Sequence, residues 1–217
     1  MSGSLHDMLL YGAAEFGVSL SESHIDRLLR LMLELRKWNR KFNLTAIKRE
    51  REIIVKHFLD SLTMVTLLPD CARVLDLGSG GGFPAIPLAL IRPDLDVLSV
   101  DAAEKKIFFQ RHAARLLGLQ KFTTLHARGE LLAKSHAGGF DVIVSRAFSS
   151  LPRFITLAQP LMAPGGTIIA MKGKWGDADA TDAAPFLAEQ ELGVRQVVRI
   201  RLPVSGDERT LVVIASR

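Results

Sequence analysis

The 217-residue chain contains one cysteine, Cys71, so an internal disulfide and any cysteine-rich zinc cluster are excluded, and thiol catalysis is confined to one position. Cys71 stands just ahead of a strand-like run and reads as a small residue leading into a buried strand. Long apolar runs are also missing. The longest, "AIPLALI" at 85 to 91, is interrupted by Pro87 and falls far short of the roughly 20 residues a membrane helix needs. The first residues, "MSGSLHDMLLYGAAEFG", lack a basic leader and carry Asp7 and Glu15 where an export signal would be uniformly apolar. No membrane span and residence in the cytoplasm are therefore expected. Repeats and low-complexity tracts are absent too. With 48% hydrophobic residues and a mean hydropathy of +0.20, the chain suits one compact unit with a sizeable core and an appendage.

What is present is unevenly placed. Residues 27 to 56 hold ten bases against three acids, a local charge of +7, whereas the whole chain carries only +5. The basic character thus belongs to one segment, which suits a local polyanion site. The plain alternative is that these side chains solvate outer helix faces.

The same segment is patterned as helix. In "SESHIDRLLRLMLELRKWNRKF", Ile25, Leu28, Leu29, Met32, Leu35, Trp38 and Phe42 recur at three and four spacing behind Ser21, a good N-cap. A helical pattern precedes it near 5 to 16, and a third covers 50 to 68, ended by Pro69. From residue 73 onward, β-branched runs at 73, 96, 122, 140 and 166 alternate with helical stretches, which predicts a parallel sheet with helical crossovers. The last two runs, "VRQVVRIRL" and "RTLVVIAS", are joined by "PVSGDE", too short for a crossover, so they should form an antiparallel hairpin. The stretch 172 to 184, "KGKWGDADATDAA", is expected to be a mobile loop. The expected division is a helical front over 1–70 and an α/β body over 71–217.

Four glycines fall within 78 to 82, between the first strand and the helix expected to start near Pro84 or Ala85. Such a turn puts backbone N–H groups and a helix start at the carboxyl edge of the sheet, where ligands of these sheets bind. Gly78, Gly80 and Gly82 can adopt positive φ and let a ligand approach where a Cβ would block it. No Gly-Lys-Ser/Thr follows, which excludes a P-loop. A nicotinamide dinucleotide stays open, because Gly80-x-Gly82-x-x-Ala85 fits its loose fingerprint and Asp101 lies 21 residues past Gly80. Asp76, directly before the turn, and the closing hairpin point away from that reading. Asp101, ending the second strand, is placed to accept both hydroxyls of a ribose.

The string "VLDLGSGGGFPAIPLAL" resembles the D-x-G-x-G-x-G motif of S-adenosylmethionine-dependent methyltransferases, and the terminal hairpin looks like the last two strands of their fold. More narrowly, "KWNRKFNLTAI" (37 to 47), "HFLDSL" (57 to 62), "GSGGGFPAIPLA", "SRAF" (145 to 148) and "MKGK" (171 to 174) resemble the bacterial 16S ribosomal RNA guanine-N7 methyltransferases, the RsmG or glucose-inhibited division protein B family. The likeness covers roughly residues 10 to 215; "DAAEKK" at 101 to 106 departs from the family's usual Asp-Ser and Lys-Arg.

The resemblance implies a Rossmann-like class I fold, a mostly parallel seven-stranded sheet with an antiparallel C-terminal hairpin and an N-terminal helical extension. It implies S-adenosyl-L-methionine as cofactor, with Gly78, Phe83, Gly129, Glu130 and Arg146 at cofactor-binding positions, beside Gly80, Gly82 and Asp101, which the turn and the end of the second strand already offer as cofactor-binding residues. It also implies methylation of guanine N7 in the decoding-region loop of 16S rRNA, within the 30S subunit or an assembly intermediate, by a monomer. On pattern alone Phe83 could be ordinary core, Glu130 a first-turn helix acid and Arg146 half of a surface salt bridge. Arg36, Lys37, Arg40, Lys41, Lys48, Arg49 and Arg51 become the expected RNA platform. Guanine N7 offers a lone pair and no proton, so no catalytic dyad is expected, and none is certain here. Arg146, Lys172 and Lys174 are positioning candidates, and His57 and His112 read as structural or surface residues. A small-molecule methyltransferase and a nicotinamide-binding redox or sensor protein are the alternatives.

Overall fold

A computed structural model describes residues 3–148, 150–173, 175 and 177–217. The front is helical: α1 (Leu5–Ala14), α2 (Glu22–Phe42), α3 (Glu50–Ile53), a π-helical stretch Ile54–Leu59, and α4 (Asp60–Leu62). The expected third helix is thus a composite, with a separate 3₁₀ turn at Val65–Leu67 before Pro69. Ser21 caps α2 by accepting from the His24 amide at 3.2 Å, and Asn43 ends it in the left-handed region at φ 48°. The buried stripe of α2 is Ile25, Leu28, Leu31, Met32, Leu35 and Asn39. Leu31 therefore joins the expected set, and Phe42 leaves it, being exposed.

The body alternates as the pattern predicts. It runs β1 (Arg73–Leu77), α5 (Ala85–Ile91), β2 (Asp96–Asp101), α6 (Glu104–Leu117), β3 (Phe122–His126), α7 (Ala133–His136), β4 (Phe140–Ser145), α8 (Leu151–Ala158), β5 (Met162–Lys172), α9 (Asp177–Glu189), β6 (Leu192–Arg201) and β7 (Glu208–Ser216). The stretch 172 to 184 is not all loop: from Asp177 it is α9. Its Ala-rich sequence favours helix, and Ala183 and Leu187 bury against the sheet, a partnership invisible locally.

The seven strands lie in the order β3-β2-β1-β4-β5-β7-β6, with β1 to β5 parallel and β7 antiparallel to both of its neighbours. Alternating side chains supply two apolar layers. Val74, Val97, Val142, Val144, Ile169 and Leu211 join Leu9, Ile25, Leu35 and Phe58 of the front, together with α5 and α6, in one layer. Leu75, Leu77, Ile143, Ile168, Val212 and Ile214 face α8 and α9 in the other. The order in which strands are added to the sheet switches sides between the parallel neighbours β1 and β4, so their carboxyl ends flank the crevice where ligands of open α/β sheets bind. No helix among the described residues is long and apolar enough to cross a membrane.

Candidate active site

At the carboxyl end of β1 the turn 78 to 82 takes positive φ at Gly78 (74°), Gly80 (61°) and Gly82 (88°). The three glycines do different work. A Cβ on Gly82 would lie 2.4 Å from Ile86 Cδ1, and one on Gly78 would lie 2.8 Å from Ala147 Cβ, so these two make room for the protein itself. Only at Gly80 is the direction open, with Lys106 Nζ 4.0 Å away. The expectation that all three clear space for a ligand is corrected to one of them.

The turn's amides are largely committed. Gly78 and Ser79 donate to Val100 O at 2.9 and 3.0 Å, and Gly82 and Phe83 both donate to Ser79 O at 2.9 Å. The first amide of α5, at Ala85, donates to Asp76 Oδ2 at 3.2 Å. The helix start is therefore occupied from below by a buried carboxylate and is not offered to a ligand. Asp76 is fully buried and its Oδ1 is without a hydrogen-bond partner among the described residues. That burial pushes its pKa up to about 7, against the pull of the Ala85 amide.

Asp101 ends β2 beside the turn. Its Oδ2 accepts from the Gly80 amide and its Oδ1 from the Ala103 amide, each at 2.8 Å, and Lys106 Nζ stands 3.6 Å from Oδ2. The carboxylate is thus aimed by backbone before any ligand arrives. Opposite, the fully buried Gln110 of α6 donates to Ser79 Oγ and Gly80 O, both at 2.8 Å. Sequence reasoning missed Gln110; the only signal was an amide among the apolar positions of α6.

Phe83 is buried, and its ring lies flat against the His57 imidazole, 4.3 Å between centroids at 6°. Its side chain is core, so only its backbone faces the turn. His57 is buried as well, in the π-helical stretch, and burial reinforced by the Arg146 charge pushes its pKa down to about 3. It is neutral at ordinary pH. Arg146 Nη2, a donor only, is 3.4 Å from Nδ1, so the ring proton belongs on Nε2, 3.0 Å from Thr45 Oγ1.

Arg146 follows β4 at the same edge. It donates to Asp60 Oδ2 at 2.7 Å and to Lys56 O at 3.1 Å, and its guanidinium lies 5.9 Å from the Phe83 ring centroid. Asp60 is buried and accepts from Arg209 Nε at 2.8 Å on its other oxygen. The surface salt bridge that pattern alone left as an alternative for Arg146 is instead a pair with the buried Asp60, which brings the helical front onto the sheet edge.

Gly129 lies in a 3₁₀ turn after β3 with its Cβ direction 3.8 Å from Leu77 Cδ2, next to the end of β1. Glu130 is exposed and 3.8 Å from Arg153 Nη2. Lys172 donates to Phe148 O at 2.9 Å, and burial lowers its pKa from the ordinary lysine value. Lys174 lies outside the described residues. His112 meets Glu34 Oε2 at 2.9 Å, away from the turn. On the front, Arg36, Lys37, Arg40, Lys41, Lys48, Arg49 and Arg51 are all exposed. Arg36 pairs with Glu50, Lys37 with Glu34 at 3.5 Å, and Arg51 donates to Gly3 O at 3.1 Å.

The model of one protein family, rRNA small subunit methyltransferase G (GidB), matches residues 24–209. The chain belongs to the GidB family. It is 51% identical to the ribosomal RNA small subunit methyltransferase G of Geobacter metallireducens, over 100% of this chain and 99% of that one. Its identity to the Geobacter sulfurreducens protein of the same name is 52%, covering 98% of each chain, and to that of Myxococcus xanthus 44%, covering 96% of each. Among solved structures, a SAM-dependent methyltransferase from Aquifex aeolicus superposes with a TM-score of 0.58 at 17% identity, over 75% of this chain and 92% of that one. The Bacillus subtilis tRNA methyltransferase TrmK gives 0.60 at 12%, over 75% and 68%. At such identities the likeness to these two shows a shared fold, a Rossmann-like sheet.

Proposed function

We propose that this protein methylates N7 of a guanine in the decoding-region loop of 16S rRNA, with S-adenosyl-L-methionine as donor. Its place among methyltransferases acting on small-subunit rRNA rests on full-length similarity to the family, above all to relatives at half identity over the whole chain. The observation in this chain that supports the cofactor is the Gly80–Asp101 pair: an open backbone position beside a carboxylate pre-aimed by two amides. Asp101 would accept the ribose hydroxyls, Gly78 and Gly80 would border the donor, and Gly129 and Glu130 would flank it beyond β3. Bound there, S-adenosyl-L-methionine supplies an electrophilic methyl group on a sulfonium.

The protein's own residues hold and orient; they need not remove a proton, since N7 carries none. His57, the nearest imidazole, fits that account: it is neutral, enclosed, and has both ring nitrogens engaged. Arg146 and Lys172, at the ends of β4 and β5, are cations on the same sheet edge that could steady the RNA backbone or the donor's carboxylate. Arg146 would do so while braced by Asp60. Exposed bases of the front would carry the RNA, and we infer a cytoplasmic monomer acting on the 30S subunit or an assembly intermediate. The nicotinamide reading is disfavoured because β7 and β6 close the sheet where a second mononucleotide half would stand. Incubating the protein and labelled S-adenosyl-L-methionine with rRNA from a strain lacking it should place one methyl group on a single guanine N7. Label in metabolites and none in rRNA would reject the proposal.

A further inference from the structure

Two of the front's bases, Arg40 and Lys48, line a concavity. With Leu33, Arg36, Asn39 and Asn43 they enclose a pocket of about 480 Å³ between the last turns of α2 and the turn that follows. Arg36 has Glu50 for a partner, but neither Arg40 nor Lys48 forms an ion pair among the described residues. Like charges gathered in a concave site repel each other unless an anion joins them. The exposed Asn43 side-chain amide in the wall suits a phosphate oxygen, and Leu33, 57% exposed at the rim, offers apolar contact to a sugar or base. The chemistry is that of a phosphodiester strand.

The pocket is tied to the glycine turn. Asn39, which lines it, grips both backbone groups of Thr45: its Nδ2 donates to Thr45 O and its Oδ1 accepts from Thr45 N, each at 2.9 Å. Thr45 Oγ1 accepts from His57, and His57 lies on Phe83 and against Arg146. A second connection leaves the same helix. Glu34 and Trp38 hold His112 of α6, at 2.9 Å and at 5.1 Å between ring centroids, and α6 carries the Gln110 that grips Ser79 and Gly80. Helix α2 therefore reaches the glycine turn by two chains of contacts while presenting the pocket to solvent.

Resting on the RNA-methylating reading above, we propose that this pocket binds a phosphodiester of the RNA strand and that Asn39, Thr45 and His57 link its occupancy to the glycine turn, so that RNA and methyl donor bind with positive cooperativity. An RNA strand held by Arg40 and Lys48 braces the 43–48 segment against α2 and so tightens the existing Asn39–Thr45–His57 bonds. Whichever ligand arrives second finds part of that tightening already done. The coupling is reciprocal by linkage.

The test is a calorimetric titration of S-adenosylhomocysteine with and without a saturating rRNA fragment that contains the decoding-region loop. Wild-type protein should bind it at least about fivefold tighter with RNA present. Thr45→Val, which removes the hydroxyl that accepts from His57 and from the Ile47 amide, should bring that ratio close to one, and Thr45→Ser should restore it. Arg40→Ala with Lys48→Ala should weaken RNA binding and lower the salt slope of log K by about one to two; its S-adenosylhomocysteine titration without RNA verifies folding. An unchanged slope overturns the pocket, as does full reproduction of the shift by inorganic phosphate, or competition by poly-glutamate stronger than by RNA. A wild-type protein that methylates rRNA yet binds S-adenosylhomocysteine equally with and without RNA overturns the coupling and leaves the function standing. One that methylates no rRNA fails at the function instead.

Discussion

Arg146 donates to Asp60 at 2.7 Å across 86 residues of sequence, joining the end of β4 to the helical front. With Arg209 on the other oxygen, the buried Asp60 carboxylate is the meeting point of β4, β7 and the front. Removing one member of such a cluster costs more than the pair contributes, because the remaining charges stay partly enclosed without a counter-charge. Asp60→Ala should therefore destabilise by about 3 kcal/mol in urea unfolding. A loss below about 1 kcal/mol, the size expected of an exposed pair, would show that the cluster is not the joint described.

Two buried groups titrate in opposite senses. Asp76 has a folded pKa of about 7, above its unfolded 3.8, so its contribution is present below pH 3.8 and is lost as pH rises to 7. His57 has a folded pKa of about 3, below its unfolded 6.5, so its contribution is present above pH 6.5 and is lost as pH falls toward 3. Between pH 4 and 6.5 the two slopes offset. Asp76→Asn removes one of them, so the variant's stability should climb from pH 4 to 6.5 by about 3 kcal/mol relative to wild type. Parallel urea-unfolding curves for the two proteins across that range would contradict the burial of Asp76 as a protonated acid.

The division of labour among the glycines is open to a paired substitution. Gly80→Ala should cost only the strain of a left-handed alanine, about 1 to 2 kcal/mol, yet weaken S-adenosylhomocysteine binding tenfold or more, because its Cβ enters the crevice. Gly82→Ala adds a collision with Ile86 and should lower the melting temperature further. If Gly80→Ala bound the ligand normally in calorimetry, the crevice would lie elsewhere.

Asp101→Asn tests the pre-aimed carboxylate. An amide can accept from the Gly80 or the Ala103 N–H but not from both, and one of them would face an NH₂. Affinity for S-adenosylhomocysteine should drop about 10- to 100-fold, the loss of a charge-assisted pair, and stability should fall by about 1 to 3 kcal/mol for the amide left without its acceptor, with the fold retained. Loss of folding with no specific effect on binding would reassign Asp101 to the scaffold.

Gln110→Leu addresses a residue that local pattern does not flag. It leaves Gly80 O and Ser79 Oγ without their buried donor and should destabilise by about 1 to 3 kcal/mol, with weaker cofactor binding as the turn loosens. Equal stability and affinity in the variant would mean the turn holds itself.

The sequence alone determined the alternation of strands and helices, the hairpin ending, the amphipathic α2, the glycine turn and the Asp101 that follows it by 21 residues. These are local signals: side-chain period, capping residues, and backbone freedom at neighbouring positions. Tertiary structure alone decided that Gly82 makes room for Ile86, that Asp76 occupies the first amide of α5, and that Ala183 and Leu187 of α9 bury against the sheet. It also decided that Gln110, Asp60 and His57 support the site, because their partners lie 30, 149 and 12 residues away, and no periodicity encodes which distant group will be brought within reach. Composition could mark the helical front as basic; only the packing of α2 against the turn after it made two of those bases the lining of a pocket.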